Sequence, residues 1–171
     1  MPTRLASNRY LSKRDAAMVL AGLAFLLVGW WLPQRISVST SPSLNHRVFF
    51  LSPMSDTNRI TTGDYLVFRH KDLLQREKGL NKENDRFIKM VGCIPGKRLA
   101  TFAGSFSCEG VFLGMALTKD GKGKALPQFS FNGTLPPGKY FMIGQHLRSY
   151  DSRYFGFIDG HDILYKALPL W

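Results

Sequence analysis

The chain has 171 residues, 44% hydrophobic and 20% charged, with 23 Lys and Arg against 12 Asp and Glu for a net charge of +11. That length accommodates one membrane anchor and one domain with a substantial core, and excludes two large domains. The basic residues are scattered, with no stripe and no nucleic-acid-binding motif, so no nucleic-acid partner is expected; attraction to anionic lipid headgroups accounts for the excess.

The first predicted element is a membrane span. Ala16 to Leu32 is 17 residues without a charge, about 26 Å as a helix, slightly less than a typical hydrocarbon core. It ends in Trp30 and Trp31, which suit a membrane interface. Arg4, Arg9, Lys13 and Arg14 precede it with only Asp15 against them, and short basic flanks stay cytoplasmic. The expected layout is a cytoplasmic basic N-terminus over 1–15, a transmembrane anchor over 16–33, and a β-rich domain over 34–171 outside the cytoplasm. A cleaved signal peptide is the competing reading, but Leu32-Pro33-Gln34-Arg35 offers no small-x-small cleavage site and the apolar run exceeds a usual h-region. A buried helix of a soluble protein would need a larger protein around it.

Beyond the anchor the pattern changes to short β-like runs: Ile36 to Thr40, Val48 to Leu51, Tyr65 to Arg69, Arg86 to Val91, Arg98 to Phe102, Val111 to Leu117, Tyr140 to Gly144 and Ile163 to Ala167. Turn residues such as Gly63-Asp64, Pro95-Gly96, Asn132-Gly133 and Asp159-Gly160 separate them. Many short strands without alternating helices predict a mostly antiparallel β domain. His70 to Asp85 is polar and reads as an exposed loop or short helix, and Lys119 to Lys124 as a turn.

Two features of this domain carry chemistry. Lys89 lies in Arg86-Phe87-Ile88-Lys89-Met90-Val91-Gly92. On a strand, Phe87, Lys89 and Val91 share one face and Ile88 and Met90 the other, so both faces are apolar. An ammonium there must reach water or lose its proton, since burial lowers a lysine pKa by up to roughly 3–5 units. A lysine snorkelling from a strand edge is the plain alternative. The second feature is the hydroxyl-rich segment Ser37-Val38-Ser39-Thr40-Ser41-Pro42-Ser43, which alone reads as a solvated linker. A serine nucleophile needs a base, and His46 is the only histidine near it, with no acid beside it, so a Ser/His/Asp arrangement is not available. A desolvated neutral lysine can replace the histidine.

Cys93 and Cys108, with 14 residues between them, either pair in an oxidising compartment or remain buried thiols. His46, His70, His146 and His161 are dispersed, so no metal and no other cofactor is expected.

Three blocks resemble the membrane-bound Ser/Lys signal peptidases, and more closely their conjugative-transfer branch, the TraF pilin-processing peptidases. They are Thr40-Ser41-Pro42-Ser43-Leu44-Asn45-His46-Arg47-Val48-Phe49, Arg86-Phe87-Ile88-Lys89-Met90-Val91-Gly92-Cys93-Ile94-Pro95-Gly96-Lys97 and Ser149-Tyr150-Asp151-Ser152-Arg153-Tyr154-Phe155-Gly156. The ending Ile163 to Trp171 is similar to that branch as well. Two departures stand out: Asn45 and Arg47 occupy positions where the branch usually has proline and glycine, and Gln145 to Arg148 differs from the usual turn before the third block.

The resemblance implies a signal-peptidase-like fold of coiled antiparallel sheets, or a partly open barrel, behind the anchor. It implies Ser43 as nucleophile and Lys89 as general base, with the Ser43 N–H and the Ser41 hydroxyl as oxyanion hole. Ser149 would orient the Lys89 amine, and Asp151 and Arg153 would form a supporting ion pair. The substrate would be a membrane-inserted pilin precursor of a conjugative transfer or type IV secretion system, bound as an added strand and cut or cyclised, with other transfer-apparatus proteins as further partners. Competing readings are a general type I signal peptidase and a catalytically inactive scaffold subunit of a secretion complex. A soluble self-cleaving repressor conflicts with the anchor.

Overall fold

A computed structural model describes residues 12–39, 43–54, 56–70 and 86–171. The chain divides into two units at Ile36. In the first, helix α1 (Lys13–Trp31) begins at Ser12, whose hydroxyl accepts the Asp15 N–H at 3.2 Å while the Asp15 carboxylate accepts the Ser12 N–H at 3.1 Å. This reciprocal cap draws Lys13, Arg14 and Asp15 into the first turn, three residues before the expected start of the span. Pro33 then falls in a 3₁₀ turn, Leu32–Arg35. None of the helix's residues is buried, and it is long and apolar enough to cross a membrane. It fits a single-pass membrane protein. Arg35 stacks its guanidinium 5.3 Å from the Trp31 ring.

The second unit is built of antiparallel strands: β1 (Ile36–Val38), β2 (Val48–Pro53), β3 (Tyr65–Arg69), β4 (Arg86–Cys93), β5 (Arg98–Phe102), β6 (Ser105–Cys108), β7 (Val111–Met115), β8 (Gly133–Thr134), β9 (Lys139–Ile143), β10 (Ile158–Asp159) and β11 (Ile163–Pro169). A short helix, α2 (Ser152–Phe155), follows β9. Seven strands form one sheet in the order β1-β2-β11-β3-β4-β9-β10, and four form a second in the order β7-β6-β5-β8. Both sheets are open; among the described residues there is no closed barrel.

The eight expected strands are all present, several with shifted ends. The run from Ile36 stops at Val38, and Thr40 lies outside the described residues; Val111 to Leu117 shortens to Met115. Residues 71–85 of the expected loop also lie outside the described residues. The structure adds β6, β8 and β10. Strand β6 is joined to its neighbours by two-residue turns, Ala103-Gly104 and Glu109-Gly110, with φ of 47° and 78° in the first and 51° and 82° in the second. Positive φ at both central residues is the twist that suits a tight hairpin, and glycine in second place relieves half the strain.

Strand β9 is buried on both faces, which explains its unbroken apolar run. Tyr140 and Met142 pack with Leu66, Phe68 and Val91, whereas Phe141 and Ile143 pack into the core between the sheets with Leu99, Phe106 and Leu135. Strand β4 would send Val91 and Cys93 to the same face, but its register with β9 shifts at Gly92. That irregularity turns Cys93 into the inter-sheet core, where it forms a disulfide with Cys108 of β6, Cα to Cα 5.7 Å. By chain-entropy arguments a loop of this size is worth about 3 kcal/mol.

Candidate active site

Lys89 occupies the middle of β4, paired with Leu66 of β3. Met90 pairs with Ile143 on the other side, and one step on in that register comes Gly144. Enclosed by strands on both sides, the lysine is 6% exposed. Its Nζ donates to Ser149 Oγ at 2.9 Å. Burial pulls the amine pKa down from 10.5 to about 8, with Asp151 pulling it back up and Arg153 pushing it further down.

Ser149 closes the turn that follows β9, its N–H donating to the His146 carbonyl at 2.9 Å. Asp151 comes next and is fully buried. Its Oδ2 accepts the Gly144 N–H at 2.7 Å and Arg153 Nη2 at 2.7 Å, and its Oδ1 accepts Arg153 Nε at 2.8 Å. Arg153, 2% exposed, extends the network by donating from Nη1 to the Met115 carbonyl of β7 at 3.0 Å. A buried guanidinium reaches β7 because Gly114 has φ of 132° and no side chain; a Cβ there would stand 2.8 Å from Nη1. Ser152 Oγ accepts the Met142 N–H at 2.9 Å. The N–H groups of Met142 in β9 and of Gly144 just after it, which another strand would otherwise take, are thus held by Ser152 and Asp151.

Ser43, 7% exposed, lies between β1 and β2. Its carbonyl accepts the N–H groups of Gln145 at 2.8 Å and His146 at 3.3 Å. Gly144 is the point on which the parts converge. A Cβ at this position would lie 1.9 Å from Ser149 Oγ and 3.0 Å from the Ser43 carbonyl. Ser43, Lys89 and the segment carrying Ser149, Asp151 and Arg153, three separate stretches of the sequence, therefore form one buried group around the end of β9. Ser41, expected in the oxyanion hole, lies outside the described residues.

A mostly apolar cleft of about 730 Å³ opens beside this group, lined by Met90 to Gly92, Val111 to Met115 and Ile143 to Leu147. Three contributors escaped the reading of the sequence: Gly144, Gln145 and Ser152. Gly144 had a signal, since a glycine ending an apolar strand marks close approach of another backbone. Gln145 showed only as a departure from the branch pattern, and Ser152 carried no signal, because each acts through a hydrogen bond that only the fold creates.

The arrangement sets a buried, readily deprotonated amine against a hydroxyl, next to a pinned serine and an apolar cleft, which is equipment for acyl transfer. The family model described as signal peptidase, peptidase S26, matches residues 11–171. The conjugal transfer protein TraF of Agrobacterium fabrum (strain C58) is 35% identical over 86 residues, 49% of this chain and 48% of that protein, so the match spans about half the length of this curated relative. Among solved structures, a signal peptidase I from Enterococcus faecalis V583 aligns with 61% of this chain and 93% of its own, at 23% identity and a TM-score of 0.37.

Proposed function

Because this chain belongs to the signal peptidase family, peptidase S26, we propose that it is a membrane-anchored serine endopeptidase with Ser43 as nucleophile and Lys89 as general base. Its substrate on this reading is a pilin precursor of a conjugative transfer or type IV secretion system. The observation that carries the proposal is the Lys89 amine, buried, lowered to about 8 and held by Ser149. The half-length similarity to a conjugal transfer protein supports a role in conjugative transfer.

Ser43 Oγ attacks the scissile carbonyl carbon as its proton passes to neutral Lys89 Nζ. The oxyanion is met by the Ser43 N–H and the Ser41 hydroxyl, each worth about 2.7–4 kcal/mol of barrier by the usual cost of losing such a donor. Collapse expels the amine, which takes the proton from Lys89, and leaves an ester on Ser43. Water then attacks with Lys89 again as base and releases a carboxylate; attack by the precursor's own amine instead forms a new peptide bond and a ring. Ser149 orients the Lys89 amine, while Asp151 and Arg153 hold Gly144 and β7 around it. The anchor puts residues 1–15 in the cytoplasm and 34–171 in the periplasm, where a membrane-inserted precursor presents an extended segment to the cleft.

Mass spectrometry of a co-expressed candidate pilin, with wild-type enzyme and with Ser43→Ala, tests the reading. Cleavage that persists in Ser43→Ala sinks it, and a product lighter by one water than the cleaved linear form establishes cyclisation. The span of the family match, from residue 11 to 171, favours a second reading, a general signal peptidase. Cleavage of many unrelated preproteins by the purified enzyme would select it.

A further inference from the structure

Gln145 touches the nucleophile segment twice. Its backbone N–H donates to the Ser43 carbonyl at 2.8 Å, and its side-chain Oε1 accepts the Asn45 N–H at 2.9 Å. The two peptides that flank Leu44 are thereby gripped by one residue, 100 positions away in the chain. Leu44 itself is buried with Phe49, Leu51 and Val67. A second donor fixes the amide: the Tyr65 hydroxyl reaches the same Oε1 at 3.3 Å. Tyr65 is in turn held in an aromatic group, with ring centroids 5.4 Å from Phe49 and 5.8 Å from His46. An N–H can only donate, so the oxygen of the amide must face Asn45.

Both positions in this contact lie among those at which the chain departs from the pattern of the TraF-like branch, Asn45 in the first block and Gln145 at the start of the divergent turn 145–148. A proline at position 45 has no N–H to give. Asn45 therefore supplies a donor that the usual residue lacks, and Gln145 supplies its acceptor. We infer that Gln145 is a positioning residue whose side chain clips the Asn45 peptide, and that Asn45 and Gln145 are one coupled device that sets the Ser43 backbone for attack. The inference rests on the peptidase reading above. Asn45 and Gln145 are both exposed at the surface of the site, so water competes for this contact, which the Tyr65 hydroxyl supports at the same oxygen.

The test uses the full-length enzyme and a peptide carrying the cleavage site mapped by mass spectrometry. Gln145→Ala and Asn45→Pro should each lower kcat about tenfold, with KM within about threefold, since the clip orients the nucleophile rather than binding substrate. The double variant should be no slower than the slower single one, because both remove the same contact. Gln145→Glu keeps an acceptor and should restore kcat to within about threefold of wild type. Hydrogen exchange at the Asn45 amide provides a readout independent of turnover: protected in the wild type and in Gln145→Glu, and exchanging faster in Gln145→Ala. Multiplicative losses in the double variant, or an Asn45 amide unaffected by Gln145→Ala, overturn the clip while leaving the peptidase intact. A wild type with a protected Asn45 amide and no Ser43-dependent cleavage overturns the peptidase reading, and with it the purpose assigned to the clip.

Discussion

Lys89 Nζ and Ser149 Oγ stand 2.9 Å apart in a site where neither residue is more than 6% exposed. A hydroxyl can accept from an ammonium and donate to a neutral amine, so this contact survives the loss of the lysine proton. On the peptidase reading Lys89 must be neutral to accept the Ser43 proton, and its pKa is lowered to about 8. We therefore predict that kcat/KM rises with pH through about 8 and levels off above it. Lys89→Arg should be inactive at every pH, because a guanidinium stays protonated. Ser149→Ala should lower kcat by about tenfold or more through loss of the orienting hydrogen bond. A flat pH profile between 7 and 9 would count against Lys89 as the base.

The same lysine burdens the fold. Its folded-state value of about 8 lies below the 10.5 of the unfolded chain, so between these two values the unfolded state binds more protons and stability rises with pH. Below about 8 both states are protonated and the full cost of burying the ammonium remains, about 3 kcal/mol. Lys89→Met should then raise stability by about 1–3 kcal/mol at pH 7 while abolishing activity, and the gain should shrink toward zero as pH climbs past 10.5. Urea denaturation of the two proteins across that range checks it.

Asp151 and Arg153 are buried as a bidentate pair. Arg153→Met strands a carboxylate away from water and should cost about 3–5 kcal/mol in denaturation experiments. It also removes the cation that pushes the Lys89 pKa down and leaves the anion that pulls it up. The midpoint of the pH–rate profile should accordingly move to higher pH, a displacement that a purely structural lesion would not produce.

Gly144→Ala tests the closeness of the site. The added methyl would meet Ser149 Cβ at 2.4 Å and the Ser43 carbonyl at 3.0 Å. Overpacking of this kind costs about 1–3 kcal/mol, and displacement of either neighbour should lower kcat by about a hundredfold. Adding Ser149→Gly should recover the stability but not the rate, as judged by thermal unfolding and peptide cleavage in parallel.

The apolar setting of Lys89 and the β character of the domain were legible because both are local patterns of side-chain type. The eight strands that alternate or run apolar over several residues were visible for the same reason. Strand β6 was not: Ser105-Phe106-Ser107-Cys108 alternates over only four residues, and its turns begin with Ala103 and Glu109 in place of the asparagine or aspartate that usually announces such a hairpin. The expected span over 16–33 left the helix's own first turn unread, because charge marks the edge of a membrane core, whereas the Ser12–Asp15 cap decides where a helix begins. Gln145 was legible as a departure from a pattern. What it does depends on Ser43 and Asn45 arriving beside it, and no local rule encodes that meeting.

The hydrogen bonds between the Ser43 segment and the turn after β9 join residues about a hundred positions apart, while β5, β6 and β7 are linked by two-residue turns. Closing a long loop costs more chain entropy than closing a two-residue turn, so the meander is expected to form before the Ser43 segment meets the turn after β9. A chain still threading toward its final fold thus carries the serine and the lysine without their mutual alignment. On the peptidase reading, it is unable to cut its neighbours, or itself, until folding is nearly complete.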